Sequence, residues 1–320
     1  MNGKGHAYAC TKQSTGKGME WMSLSTPSSA ASLYALLSIS FWGVSFVSTK
    51  AVLHTLDPLT LLVLRFGIGA LFLFFLILAQ GISLRIHLKY IPHLIILGIL
   101  GVFVHQLLQA SALLTIDASA AGWMISFAPV FTMFLSILFL QERLSAFKVG
   151  GVLLAVIGVL LITTARSGQS LSFGLQIGYF LMLASTFNWA VYSILLKKLA
   201  VPFPSIVITF YMCTIGFALT LPFLYQTKGW QALPLLTGSE WLHLIFLGVF
   251  VSGISYWFWA KSLEVMEASK VSSFLYLEPL TTLIAAVLLL HEEILLISVL
   301  GGIIVILGVI IANRPIATNE

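Results

Sequence analysis

Ten stretches of about twenty largely apolar residues follow one another along this chain, and that is the length one helix needs to cross the hydrocarbon core of a bilayer. They run Leu33–Leu53, Leu59–Ala79, Leu94–Leu114, Ala118–Leu140, Val149–Ala165, Gly174–Leu196, Ile206–Tyr225, Trp241–Ala260, Val271–Leu290 and Ile294–Ala312. The runs are continuous and do not alternate, so they predict helices and not the strands of a barrel. Of the 320 residues, 59% are hydrophobic and 8% charged. A water-soluble domain carries about a quarter charged residues, so lipid is the expected solvent. The 16 cations are scattered and form no dense patch to meet phosphates, which excludes nucleic acid as a partner. Cys10 and Cys213 have neither a disulfide framework nor metal-ligand spacing.

Met1–Ser32 is polar, rich in Gly, Ser, Thr and Lys, and has no apolar core of a signal peptide. It reads as a disordered cytoplasmic leader. Placing the N-terminus in the cytoplasm puts twelve cations in inside loops and three (Lys50, Arg166 and Lys228) outside, with Arg65 within the second stretch. The bias predicts both termini inside a multi-pass cell-membrane protein.

The sequence repeats itself. At an offset of 150, Leu97-Gly98 meets Leu247-Gly248, Ala118-Ser119 meets Ala268-Ser269, and Pro129 meets Pro279. Glu142 meets Glu292, Gly151 meets Gly301 and Gly158-Val159 meets Gly308-Val309 without a gap. At 147, Trp42 falls on Trp189 and Lys50 on Lys197. Each copy holds five stretches, an odd number, so the second copy is expected to cross the membrane upside down. The cations agree: Arg143 and Lys148 answer to Glu293 and Ser298, while Ser111 and Ala120 answer to Lys261 and Lys270. The expected fold is an all-α polytopic membrane protein of ten transmembrane helices arranged as two inverted five-helix repeats. The first repeat takes 33–166, the second 172–314, and 315–320 form a tail. Inverted repeats characterise alternating-access carriers, whose solute binds near mid-membrane.

With Phe41-Trp42-Gly43, Lys50, Pro58 and Arg65 ahead of the Pro129…Glu142…Gly151…Gly158 series and its echo, the chain resembles the drug/metabolite transporter superfamily, in particular its EamA-type ten-span transporters. The second copy departs from the first at Met212, which takes the place of Arg65, and at Ala190, which takes that of Gly43. The resemblance implies transport of small metabolites or drugs, often outward and by proton exchange. It also leaves a lipid-carrier or lipid-linked-sugar flippase as an alternative.

Polar groups in apolar spans carry the information, since each needs a partner or a wet cavity. Trp42 and Ser45 share a face with Ser38, answered by Ser185, Trp189 and Tyr192. His105 and Gln109 share another, answered by Ser255 and Trp259, and Trp123 and Ser126 a third, answered by Ser273 and Tyr276. Asn188 adds an amide. These faces are expected to line one cavity suited to a small amphipathic or zwitterionic solute. The bland reading stands beside it: serines bonded to backbone, a packed imidazole, indoles that only fill space. Arg65 either pairs with helix-end carbonyls or meets a substrate anion. Glu278 either bonds the carbonyl freed by Pro279 or couples transport to protons, and it is expected to point away from the Tyr276 face. Lys50 and Lys197 are expected to snorkel, Glu142 and Glu292 to cap the helices next in the chain, and the fifth and tenth spans to pack on their glycines.

A polytopic enzyme would need a nucleophile or metal constellation at depth, and no HExxH, GxSxG or paired intramembrane aspartates occur. No P-loop is present to use ATP. The sequence therefore predicts a secondary carrier with a small-molecule substrate, no cofactor and no metal, acting in the bilayer as a monomer or homodimer.

Overall fold

The computed structural model describes residues 27–116, 118–142, 145–167, 177–290 and 296–312. All regular structure among them is helical. In chain order the α-helices are α1 (Pro27–Val52), α2 (Pro58–Ala79), α3 (Ile91–Gly98), α4 (His105–Ala112), α5 (Ala118–Ile125), α6 (Ala128–Leu140) and α7 (Ala146–Ser167). They continue as α8 (Ile177–Leu199), α9 (Ser205–Gln226), α10 (Gly238–Phe246), α11 (Tyr256–Val265), α12 (Ala268–Ser273), α13 (Glu278–Leu290) and α14 (Leu296–Ala312). Among the described residues, six helical stretches are long and apolar enough to cross a membrane: 29–52, 58–79, 88–112, 177–199, 205–226 and 238–265. Shorter apolar helices accompany them, so this is a multi-pass membrane protein. Of the leader, residues 1–26 lie outside the described part, as does the tail, while α1 begins at Pro27, ahead of its apolar window.

The fourth and ninth apolar windows, expected as single spans, are each broken. Pro129 and Pro279 sit at the second position of α6 and α13, where a missing N–H is tolerated, and each opens a new helix after a tight turn. The breaks recur at the sequence offset of the repeat: α6 and α13 correspond residue for residue at 150, and α2 and α9 at 147. The third and eighth windows are each interrupted by a π-helical segment, Ile99–Val104 and Leu247–Ser255, again at equivalent places. Such wide turns inside α-helices gather at functional sites.

Glycines set the closest approaches. A Cβ on Gly158 would lie 2.6 Å from the Gly301 carbonyl oxygen, and one on Gly308 2.6 Å from the Ala155 nitrogen. The α7 and α14 backbones therefore touch, as the glycine stripes predict. Elsewhere the copies exchange partners. α4 packs on α8 and α11 on α1, while α6 packs on α8 and α13 on α1. α8 is thus held by α4 and α6, and α1 by α11 and α13, so the molecular centre draws on both sequence copies.

Candidate central cavity

At that centre lies a narrow cleft lined by Trp42, Ser45, His105, Gln106, Gln109, Ile125, Trp189, Tyr256, Leu275 and Glu278. Five of the expected cavity residues are in this wall: Trp42, Ser45, His105, Gln109 and Trp189. Glu278 is in it too and Tyr276 is not, so the two side chains part as expected, but it is Glu278 that meets the cleft. The 3-10 turn Phe274–Leu277 winds the chain more tightly just ahead of α13.

The aromatic wall is continuous. Trp42 meets Trp189 edge-on, with centroids 4.9 Å apart and planes at 86°, and both touch Tyr256 and Trp259 at 5.3–5.7 Å. His105 lies 4.7 Å from Trp189, and Tyr192 lies 5.0 Å from it. Edge-on and tilted contacts at these distances suit aromatic quadrupoles. Trp259 and Tyr192 thus support the wall from behind. The indole N–H groups of Trp42, Trp189 and Trp259 are buried without a hydrogen-bond partner among the described residues.

Other expected residues serve the framework. Ser126 donates to the Gly122 carbonyl, and Asn188 donates to the Leu100 carbonyl at 2.6 Å, inside the first π-helical segment. Tyr276 is fully buried outside the cavity wall, its hydroxyl unpartnered among the described residues. The side chain of Trp123 lies outside the described residues, as does Glu292. Ser38 Oγ donates to the Ser255 carbonyl and its counterpart Ser185 Oγ to the His105 carbonyl, both at 2.9 Å. The His105 Nδ1 sits 2.8 Å from Ser185 Oγ and 3.1 Å from the Ser185 carbonyl. A proton on Nδ1 satisfies both contacts, which assigns the tautomer and leaves Nε2 without a protein partner among the described residues.

Arg65 is 1% exposed and does not reach helix-end carbonyls. Its Nε donates to Ser252 Oγ and its Nη1 to Gln106 Oε1, both at 2.7 Å. Gln106 Nε2 donates in turn to the Tyr256 hydroxyl at 3.0 Å, which donates to the Gly101 carbonyl at 2.8 Å. One directional chain of hydrogen bonds, the first of them charge-assisted, therefore runs from the arginine to the cavity wall. Gln106 and Tyr256, which helical-face counting does not single out, are repeat-equivalent residues 150 apart that bond to each other. That equivalence is itself a usable signal.

The Glu278 carboxyl makes no hydrogen bond to a described residue. Thr281 and Thr282 donate to its backbone carbonyl, while Oε2 is enclosed and unpartnered. The expected bond to the carbonyl freed by Pro279 is absent among the described residues.

Away from the cavity, two further expectations need correction. Lys50 donates to the Ile116 carbonyl at 3.2 Å, and its counterpart Lys197 donates to the equivalent Met266 carbonyl. Helix-end carbonyls have no intrahelical donor and draw cations, so these lysines cap a neighbouring span and do not snorkel. Glu142 leaves its own copy: it accepts from the Ala268 and Ser269 backbone N–H groups at 2.7 and 3.3 Å, and from the Ser269 hydroxyl. Lys148 sits 3.8 Å from it and also pairs with Glu267, which Lys270 meets at 3.5 Å. A polar seal thus ties the end of α6 to the start of α12.

An all-helical, multi-pass chain whose two copies enclose one polar cavity has the form of a membrane transporter. The chain belongs to the EamA-like transporter family, which matches it twice, over residues 29–164 and 176–314. An uncharacterized transporter of Archaeoglobus fulgidus is 33% identical over 280 residues, covering 87% of this chain and 96% of the relative. A Salmonella typhimurium protein named "Probable amino-acid metabolite efflux pump" is 29% identical, covering 87% of this chain and 92% of its own length. A crystal structure 24% identical in sequence superposes with a TM-score of 0.72 over 89% of this chain and 96% of that one, which concerns the fold alone.

Proposed function

We propose that this transporter exports small polar metabolites, of which amino-acid-like solutes are the leading class, by alternating access with proton exchange through Glu278. In this reading the ten apolar windows cross the cell membrane as two inverted five-span repeats, 33–166 and 172–314, with both termini cytoplasmic. The cavity opens to each side in turn as the halves rock about the α7–α14 seam. The observation that carries the reading is the cavity itself, whose wall draws residues from both copies and ends in a carboxyl group that makes no hydrogen bond to a described residue. The name of the Salmonella typhimurium relative supports the choice of solute and direction. The exchange of cations between equivalent loops supports the inverted arrangement.

Inside-out vesicles containing the protein should accumulate members of a panel of amino acids, nucleosides and dyes faster than empty vesicles when their lumen is made acidic. Glu278→Gln should lose the dependence on the pH gradient and about tenfold or more of the gradient-driven rate, since the amide cannot release a proton. No solute moving above background would overturn the carrier reading, and an unchanged gradient response in the variant would remove Glu278 from the coupling.

A further inference from the structure

The two π-helical segments stand at equivalent places in the repeat, but they are not held in the same way. A wide turn tilts carbonyls off the helix axis, and at membrane depth these need donors. In the second segment, Leu247–Ser255, the Phe250 carbonyl accepts the hydroxyl of the segment's own Ser255 at 2.7 Å. The first segment, Ile99–Val104, has 6 residues and no polar side chain. Its Leu100 carbonyl, which also accepts the His105 backbone N–H, takes the Asn188 amide at 2.6 Å. Its Gly101 carbonyl takes the Tyr256 hydroxyl at 2.8 Å. Both side-chain donors belong to the second sequence copy.

The repeat accounts for the difference. At the offset of 150, Phe250 answers to Leu100 and Ser255 to His105. The imidazole that replaces the serine is directed to Ser185 and the cleft, so it supplies nothing to Leu100. At 147, Asn188 answers to Phe41, which has no donor and meets the Phe250 ring with centroids 5.3 Å apart. The same two positions therefore touch in both halves. They do so by a hydrogen bond where the wide turn lacks a donor of its own, and by rings where it has one.

Asn188 is 9% exposed and is not part of the cleft wall. It shares a face of α8 with Ser185 and Tyr192. Ser185 Oγ bonds the His105 carbonyl just past the segment, and the Tyr192 ring fills the space that a side chain on Gly101 would need. α8 thus grips this stretch at three points. Directly after the wide turn come His105, Gln106 and Gln109, all in the cleft wall.

We propose that Asn188 is a positioning residue of the cleft. It acts through the Leu100 carbonyl to hold the first wide turn, and by that turn it fixes where His105, Gln106 and Gln109 face. Without a donor at this position the segment rewinds as ordinary helix, and the three side chains turn off the cleft together. The second wide turn has its own serine for Phe250 and needs no counterpart of Asn188.

The test uses the full chain in lipid nanodiscs at neutral pH, labelled with 15N-histidine. The His105 signals are those missing from His105→Gln. In the intact protein they should report a proton on Nδ1, the form that its contacts with Ser185 require. Asn188→Leu keeps the volume and removes the donor. It should shift the balance of the two neutral forms by about tenfold or more toward a proton on Nε2, because a buried carbonyl deprived of its donor is costly. Asn188→Gln, which keeps an amide, should recover most of the intact signal. Phe41→Leu, at the equivalent place in the other copy, should leave it unchanged. If Asn188→Leu does not fold, Tyr256→Phe, which removes the Gly101 donor and keeps the ring, decides by the same signal. Unchanged His105 signals in the leucine variant, a shift that glutamine fails to recover, or an equal shift from Phe41→Leu overturns the assignment. Vesicles that move no solute would sink the carrier reading alone, since the His105 signals are read without one.

Discussion

Replacing Gly158 with leucine should lower the stability of the protein in detergent by about 3 kcal/mol or more, and much of it should fail to fold. A Cβ there meets main-chain atoms, the Gly301 oxygen at 2.6 Å and the Val305 nitrogen at 2.7 Å, as well as a Val305 methyl at 2.7 Å. A flexible side chain could swing aside, but a neighbouring helix backbone cannot, so α7 and α14 would have to part. The same substitution at Gly150, which faces nothing within 4 Å, should leave the thermal midpoint nearly unchanged. Melting curves of both variants check this. Equal midpoints would mean that the seam between α7 and α14 does not hold the molecule together.

Glu142→Ala should keep the fold and loosen one end of the bundle. The carboxylate takes two backbone N–H groups and one hydroxyl at the start of α12, and Lys148 stands beside it. Losing a cap of this kind costs about 2 kcal/mol, which shifts the balance between closed and open at that end by about thirtyfold. A cysteine placed at the buried Ser272, in a background lacking Cys10 and Cys213, should then react with a polar thiol reagent many times faster than in the otherwise intact protein. Labelling unchanged by Glu142→Ala would show that these bonds do not hold that end shut. The neighbouring ion pairs give a pH dependence of known sign. Burial raises the Glu267 carboxyl, but its bond to Lys148 and the charges of Lys148 and Lys270 outweigh this and hold it below the ordinary glutamate range. A group lowered in the folded state contributes stability above its unfolded pKa and loses it as pH falls through the folded one. The seal should therefore persist through neutral pH and weaken only in acid, with Ser272→Cys labelling rising there.

Much of the central wall is legible in the sequence because a bilayer-embedded chain is so uniformly apolar that polar and aromatic exceptions stand out. Trp42, His105, Gln109 and Trp189 are recognisable on that ground, and the double appearance of each pattern strengthens it. What escapes is the relation between helices. Gln106 is missed because α-helical counting places it off the face shared by His105 and Gln109, yet the narrow cleft is lined by both neighbours. Its partner Tyr256 emerges from the repeat offset, but only once the two copies are known to meet there. Lys50, Lys197 and Glu142 read as local because nothing in a single span tells which carbonyl or N–H of another span lies at the same depth. Glu278 and Tyr276 part as their spacing predicts, but which of the two meets the cleft depends on the neighbouring helices and not on their own.

The paired π-helical segments carry a consequence for what this sequence can tolerate. A wide turn holds one residue more than the regular helix would place there. Deleting a single residue from Ile99–Val104 would restore ordinary winding and rotate the remainder of that span by about 100°. His105, Gln106 and Gln109 would swing out of the cleft together, with every apolar side chain still of an acceptable kind. In these stretches it is the tally of residues, more than their chemistry, that cannot drift.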